Sequence, residues 1–294
     1  GSRHLELVRR FICSLATKRF LILTGLSGSG KTRLAQAFGE WLGPDRSRVV
    51  AVRPDWTSPD HLLGYVNELA HPDCAGHKAW SVPETLEFML QAAAHPDQPH
   101  VLILDEMNLA HVERYFADVL SGIESGKPVL PNLNHTNDGW FETPGPSLVE
   151  LPSNLFIVGT VNVDETTYMF SPKVLDRANT IEFRVQTADL GRTRHRPSTV
   201  VPADQDLVAR FMTDARQAVE IDPTTEVAEG LRRLHTLLTA SGREFGHRTF
   251  TEVLEFEYHY LRAGGGSAQA AFDVQVCQKL LPRLHGSKRD VGPV

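Results

Sequence analysis

The sequence has little cysteine, no long apolar run and no excess of positive charge. Its three cysteines, Cys13, Cys74 and Cys277, are too few and too scattered for a disulfide framework, which favours a reducing, cytoplasmic setting. No stretch approaches the roughly 20 apolar residues that span a bilayer, and no basic-then-apolar leader opens the chain, so no membrane partner is expected. Gly1-Ser2 reads as a remnant of tag removal. With 36 acidic against 30 basic residues the net charge is −6, so no global field draws nucleic acid and any DNA contact must be local. No fixed-period repeat and no low-complexity tract interrupts the chain. His71, Cys74 and His77 sit three apart in a Pro/Gly loop, but a fourth ligand is missing at the usual zinc spacing, and they read as a surface loop.

What is present is a nucleotide phosphate grip. An apolar run from Phe20 leads into Gly25, Leu26, Ser27, Gly28, Ser29, Gly30, Lys31, Thr32 and Arg33, with a helical pattern behind them. That is the P-loop spacing, in which consecutive backbone N–H groups curl around phosphate oxygens. Glycines are required because a Cβ would block positive φ angles and the close approach of backbone to ligand. Lys31 supplies a mobile positive charge, Thr32 offers a hydroxyl to Mg²⁺, and the helix N-terminus faces the same phosphates.

The rest of the chain supplies the context that such a loop requires. Leu5–Leu15 carries a helical stripe, Phe20–Thr24 and Val101–Leu104 are wholly apolar strands, and Lys31–Leu42 and Pro83–His95 are amphipathic helices. Arg48–Arg53, Leu155–Thr160 and Thr180–Val185 read as further strands, and Ala110–Ser125 as one continuous amphipathic helix. Asn137-Asp138-Gly139 signals a hairpin. Strands alternating with helices over 20–185 predict an α/β fold with an open, mostly parallel sheet. From about Val201 the pattern is helical only, with helices expected over Asp204–Val219, Thr224–Thr239, Thr249–Arg262 and Ala268–His285. The expected division is therefore an N-terminal helix over 1–19, a nucleotide-binding domain over 20–190 and a helical subdomain over 200–294.

Ligands of open α/β sheets bind at the carboxyl ends of the strands. Asp105-Glu106 closes the third strand there: Asp105 can hold Mg²⁺ and Glu106 can accept the proton of an attacking water. Asn162, read as two residues past the fourth strand, can orient the same water or simply end the strand in a turn. Arg177 and Arg248 are single arginines in apolar helical contexts, where surface or ion-paired structural roles are common.

From Phe20 to His285 the chain resembles AAA+ NTPases of the dynein-related group, and most of all the McrB-like motor subunits of modification-dependent restriction systems. The resemblance rests on GLSGSGKT (Gly25–Thr32), SPDHLLGY (Ser58–Tyr65), LDEMNLAHVERYFADVLSGIE (Leu104–Glu124), LPSNLFIVGTVN (Leu151–Asn162), SPKVLDRA (Ser171–Ala178) and FGHRTFTEVLEF (Phe245–Phe256). It implies a P-loop AAA+ core followed by a helical lid, with Lys31 and Thr32 as Walker A, Asp105 and Glu106 as Walker B, and Asn162 as sensor one. Arg177 becomes the arginine finger, with Lys173 as runner-up, and Arg248 the second sensor on the lid. McrB-like chains resemble a consensus MNTAD-R after the fourth strand, whereas Val161-Asn162-Val163-Asp164-Glu165 stands here, so ATP and GTP both stay open.

A finger supplied in trans is worth about 10³–10⁵ in rate, so a homo-oligomeric ring is expected, hexameric by resemblance. The expected function is an Mg²⁺-dependent NTPase motor that translocates or remodels DNA for a nuclease or other effector subunit. DNA would meet pore loops near Arg53, Trp56 and Trp140 or a domain outside this chain. The alternatives are a MoxR-like protein remodeller or assembly switch, and a non-catalytic nucleotide-binding scaffold. The complete set Lys31, Glu106, Asn162 and Arg177 argues against the scaffold.

Overall fold

A computed structural model describes residues 2–67, 79–130, 148–163, 170–184 and 199–284. In chain order, α1 (Ser2–Thr17) leads into β1 (Phe20–Gly25), α2 (Lys31–Leu42) and β2 (Ser47–Ala51). A short α3 (Asp60–Leu63) and a ribbon of β3 (Tyr65–Asn67) with β4 (Ala79–Ser81) precede α4 (Glu84–Ala94) and β5 (His100–Asp105). After a 3-10 turn at Met107–Leu109 come α5 (Val112–Tyr115), α6 (Ala117–Ser125), β6 (Leu155–Asn162), α7 (Pro172–Leu175) and β7 (Asn179–Phe183). The C-terminal region is helical: α8 (Gln205–Arg216), α9 (Glu226–Thr239), α10 (His247–Arg262) and α11 (Ala268–Gln275), then a π turn over Val276–Leu280 and a 3-10 turn over Leu281–Arg283.

Five strands form one parallel sheet in the order β2-β5-β6-β1-β7. Their apolar residues alternate between two buried faces, as expected of a sheet covered on both sides. Phe20, Ile22, Leu102, Leu104, Leu155 and Ile157 face a core completed by α3 to α7. Leu21, Leu23, Val101, Ile103, Phe156 and Val158 face α1, α2 and α8 through Phe11, Phe38 and Phe211. Each such side chain contributes about 1.5–3 kcal/mol on burial. The helical region has its own core around Val227, Leu231, Val253 and Leu280. It is joined to α1 where Cys13 meets Phe256 and Tyr260. Among the described residues no helix is long and apolar enough to cross a membrane.

Several expectations change in detail. The helix read as continuous over Ala110–Ser125 is broken at Phe116, whose backbone leaves the helical region at φ −107°, ψ 7°. The apolar stripe reads through the break because α5 and α6 bury the same face. The last helix is likewise interrupted by the π turn, with Pro282 beyond it. Asn162 is the final residue of β6, not two residues past it, and pairs with Gly25 of β1. The β3–β4 ribbon was hidden among the turns of 54–82. There Gly64 lies at φ +81°, and a Cβ would stand 2.0 Å from the Ser81 carbonyl oxygen. The hairpin at Asn137, Trp140, the His71/Cys74/His77 loop, and Asp164 and Glu165 lie outside the described residues.

Candidate nucleotide site

The sheet register brings Gly25, Asp105 and Asn162 to one edge of the fold, at the carboxyl ends of three adjacent strands. Gly25, at φ +150°, lies against β7: a Cβ would come within 2.5 Å of the Phe183 carbonyl oxygen. Gly28 and Gly30 also take positive φ, 72° and 96°, so the loop curls into a nest before α2 begins at Lys31. Leu26 and Ser29 form the turn that closes it, through a backbone hydrogen bond of 3.2 Å. Lys31 is only 5 % exposed. Its Nζ donates to the Gly25 and Leu26 carbonyls at 2.8 and 2.7 Å and to Ser29 Oγ at 3.4 Å, which places the charge on the inner side of the loop.

A chain of hydrogen bonds ties the loop to the acidic pair. Asp105 Oδ1 accepts from Thr32 Oγ1 and from Thr160 Oγ1, each at 2.7 Å. Thr160 Oγ1 in turn accepts from the Glu106 backbone N–H at 3.0 Å. Asn162 Nδ2 donates to Glu106 Oε1 at 2.9 Å. Glu106 adopts a left-handed backbone, φ 54° and ψ 45°, which a non-glycine residue tolerates only where its surroundings hold it. Here Thr160 holds its N–H and Asn162 its carboxylate. Gly159, next along β6, leaves room for Met107: a Cβ there would stand 2.4 Å from its Sδ.

These groups line a cavity of about 310 Å³, together with Ser27, Gly28 and Arg33. Arg33 stands at its outer rim, bonded to Glu40 along α2 at 3.1 Å. Mg²⁺ keeps several waters and uses phosphate oxygens, so it asks for one or two protein ligands and not a cage. The Thr32 hydroxyl and Asp105 carboxylate, 2.7 Å apart beside the phosphate loop, fit that demand. Among the described residues no cluster of three or more His, Cys, Asp or Glu side chains forms a separate metal centre.

The two arginines do not join this cavity. Arg177, just after α7, and Arg248, in the first turn of α10, both reach Glu124 at the end of α6. Arg248 Nη1 lies 3.0 Å from Glu124 Oε1, and Arg177 Nη2 pairs with Oε2. They line a second cavity of about 240 Å³ with Lys18, Arg19 and Glu252. Arg177 also donates to the Lys173 carbonyl at 2.6 Å, so the runner-up residue contributes backbone to the same cluster. Burial, and then the like charge of Arg248, lower the pKa of Arg177 from its usual value.

Trp56 is buried, stacked on His61 at 5.6 Å and edge-on to Tyr115 at 5.3 Å, so it serves the core and not a DNA surface. Arg53 is exposed. Two contributors carry no sequence signal. Thr160 is the one hydroxyl in the strand LFIVGTVN, and Glu124 ends a helix on its solvent side.

Residues 14–126 match a family described as an AAA domain, and 202–294 match one described as a domain of unknown function. The chain is 26 % identical over 156 residues to the type IV methyl-directed restriction enzyme EcoKMcrB subunit of Escherichia coli (strain K12). That match covers 50 % of this chain and 31 % of the relative, so the chain corresponds to about a third of that protein's length. The chain therefore carries an AAA+ core and is similar to an McrB subunit. The fold agrees: a Cytophaga hutchinsonii protein described as a candidate ATPase superposes with a TM-score of 0.59 at 13 % identity, covering 94 % of this chain and 81 % of that one. A full-length MCM homologue from Methanopyrus kandleri gives 0.50 at 13 % identity, over 95 % of this AAA+ chain and 55 % of the other.

Proposed function

We propose that this chain is an Mg²⁺-dependent nucleoside triphosphate hydrolase, working as a ring in which each subunit interface holds one ATP or GTP. Hydrolysis drives translocation or remodelling of DNA for a partner nuclease. The observation that carries the reading is the unbroken line Thr32–Asp105–Thr160–Glu106–Asn162 along the strand ends, beside a glycine loop with a buried lysine. Residues 20–190 form the nucleotide-binding domain and 200–294 the lid.

Backbone N–H groups of Gly25–Thr32 and the Lys31 ammonium hold the phosphates. Thr32 and Asp105 would hold Mg²⁺, which when bound neutralises charge on the phosphate oxygens. Glu106 takes the proton of the attacking water, and the Asn162 amide, anchored to Glu106 Oε1, fixes the direction of that carboxylate. Arg177 and Arg248 gather at Glu124, outside the cavity of their own P-loop, which supports delivery of Arg177 to the neighbouring subunit's phosphoryl group. A head-to-tail contact of that kind closes into a ring, of six subunits by resemblance.

Steady-state hydrolysis of ATP and of GTP, with and without DNA, tests the reading. Turnover stimulated by DNA and abolished by Lys31→Ala is expected. Turnover that persists in Lys31→Ala contradicts the P-loop assignment. Stimulation by a protein partner and never by DNA moves the chain to the protein remodellers.

A further inference from the structure

The backbone on both sides of Arg177 is held by the Nζ groups of two lysines from distant parts of the chain. Lys279 Nζ donates to the carbonyls of Asp176 and Ala178 at 2.9 and 3.0 Å. Lys18 Nζ donates to the same Asp176 carbonyl at 2.9 Å. Both Nζ groups share one carboxylate, Glu252 of α10: Lys279 lies 2.7 Å from its Oε2, and Lys18 pairs with its Oε1. Arg283 Nε closes the cluster 2.7 Å from Asp176 Oδ1. The Lys279 side chain is fully buried.

Burial, and then the like charge of Lys279, lower the Lys18 pKa to about 6. Withdrawing ionisable groups from water costs several kcal/mol per ion, and apolar side chains of the same volume are often the more stable choice. What apolar side chains cannot do is fix carbonyl direction, and the carbonyls fixed here flank Arg177. Glu252 lies one helical turn from Arg248 and 3.8 Å from its Nε, so the same helix that carries Arg248 also anchors the finger segment. Lys279 reaches its carbonyls from the π turn Val276–Leu280, and single π turns recur at functional sites.

We propose that Lys18, Glu252 and Lys279 are positioning residues for Arg177, through which the lid helices set the reach of the finger into the neighbouring subunit. The inference rests on the reading of Arg177 as a finger supplied in trans. A displacement of about 1 Å in a catalytic group is enough to cost about 10²-fold in rate.

The test is steady-state hydrolysis, with the triphosphate that the wild type turns over, of full-chain Arg177→Ala, Lys279→Met and Glu252→Gln, each alone and mixed with Lys31→Ala before assembly. Lys279→Met is expected to lose about 10²-fold in kcat with KM little changed. It regains activity in the mixture, because Lys31→Ala subunits present an intact finger to its intact P-loop. Glu252→Gln keeps the shape of the side chain and removes its charge, so it carries the same test if Lys279→Met does not melt cooperatively. Its expected loss is about tenfold, again repaired by mixing. Normal kcat in folded Lys279→Met and Glu252→Gln, beside an inactive Arg177→Ala, overturns the positioning role and leaves the finger standing. A loss that mixing does not repair also overturns it, because the defect then lies in the variant's own P-loop. Wild-type turnover in Arg177→Ala overturns the finger reading and this inference with it.

Discussion

The two charged regions of this molecule are built in opposite ways. At the P-loop the functional groups sit at strand ends and hold one another through short polar contacts, Thr32 to Asp105 to Thr160 and Asn162 to Glu106. The sheet register sets Gly25, Asp105, Thr160 and Asn162 side by side, and the start of α2 brings Thr32 to them. Around Arg177 the groups come from the turn after α1, from α6, α10 and the π turn, and meet only because the helical region packs on α1 and β7. The first region is a fixed frame. The second is a joint, built where the C-terminal helical region meets α1, α6 and β7.

The largest expected effect lies at Arg177. Arg177→Ala is expected to lower turnover by about 10³–10⁵ while nucleotide binding, followed with a fluorescent analogue, stays at the wild-type level. Glu106→Gln in the frame should cost about 10²–10⁴ in kcat, again with binding retained. Equal hydrolysis by wild type and Glu106→Gln contradicts its assignment as the base. Thr160→Val strips Asp105 Oδ1 of one donor and leaves the Glu106 N–H without its acceptor. A stability loss of about 1–3 kcal/mol in denaturant titration is expected.

The smallest effect separates the regions by pH. Burial raises the Glu252 pKa, but Lys279 and Lys18 outweigh it and hold the carboxyl below its ordinary value. A carboxyl lowered by folding stabilises above its unfolded pKa of about 4.3, and that contribution is lost as the pH falls through the lower folded value. Glu252→Gln should therefore melt below wild type at pH 7, and the gap should close on acidification past about pH 4. A gap that widens in acid contradicts the pairing.

The frame was largely legible from residue order, because strands, glycines and acidic strand ends are local signals. Helix α2 begins and ends where its pattern places it, at Lys31 and Leu42. Thr160 escaped because one hydroxyl in an apolar strand carries no spacing rule, and its role depends on which residue the neighbouring strand sets beside it. The joint was almost wholly illegible. Lys18 and Lys279 are lysines, which by default lie at the surface, yet they are buried against backbone carbonyls. Glu124 reads as part of a solvated helix face and instead receives two arginines. Arg248 could be placed on the lid by resemblance, but its neighbours depend on where the lid packs, which no periodicity encodes.

If the frame of one subunit is completed by the joint of the next, two proteins with complementary defects should restore one another when mixed. Lys31→Ala and Arg177→Ala, each inactive alone, are combined in equal amounts before assembly and assayed for hydrolysis. If the arginine acts across the interface, about a quarter of the interfaces pair an intact P-loop with an intact finger, and activity returns to about a quarter of the wild-type rate. If the mixture stays as inactive as its components, both residues serve the same subunit and the shared site is wrong.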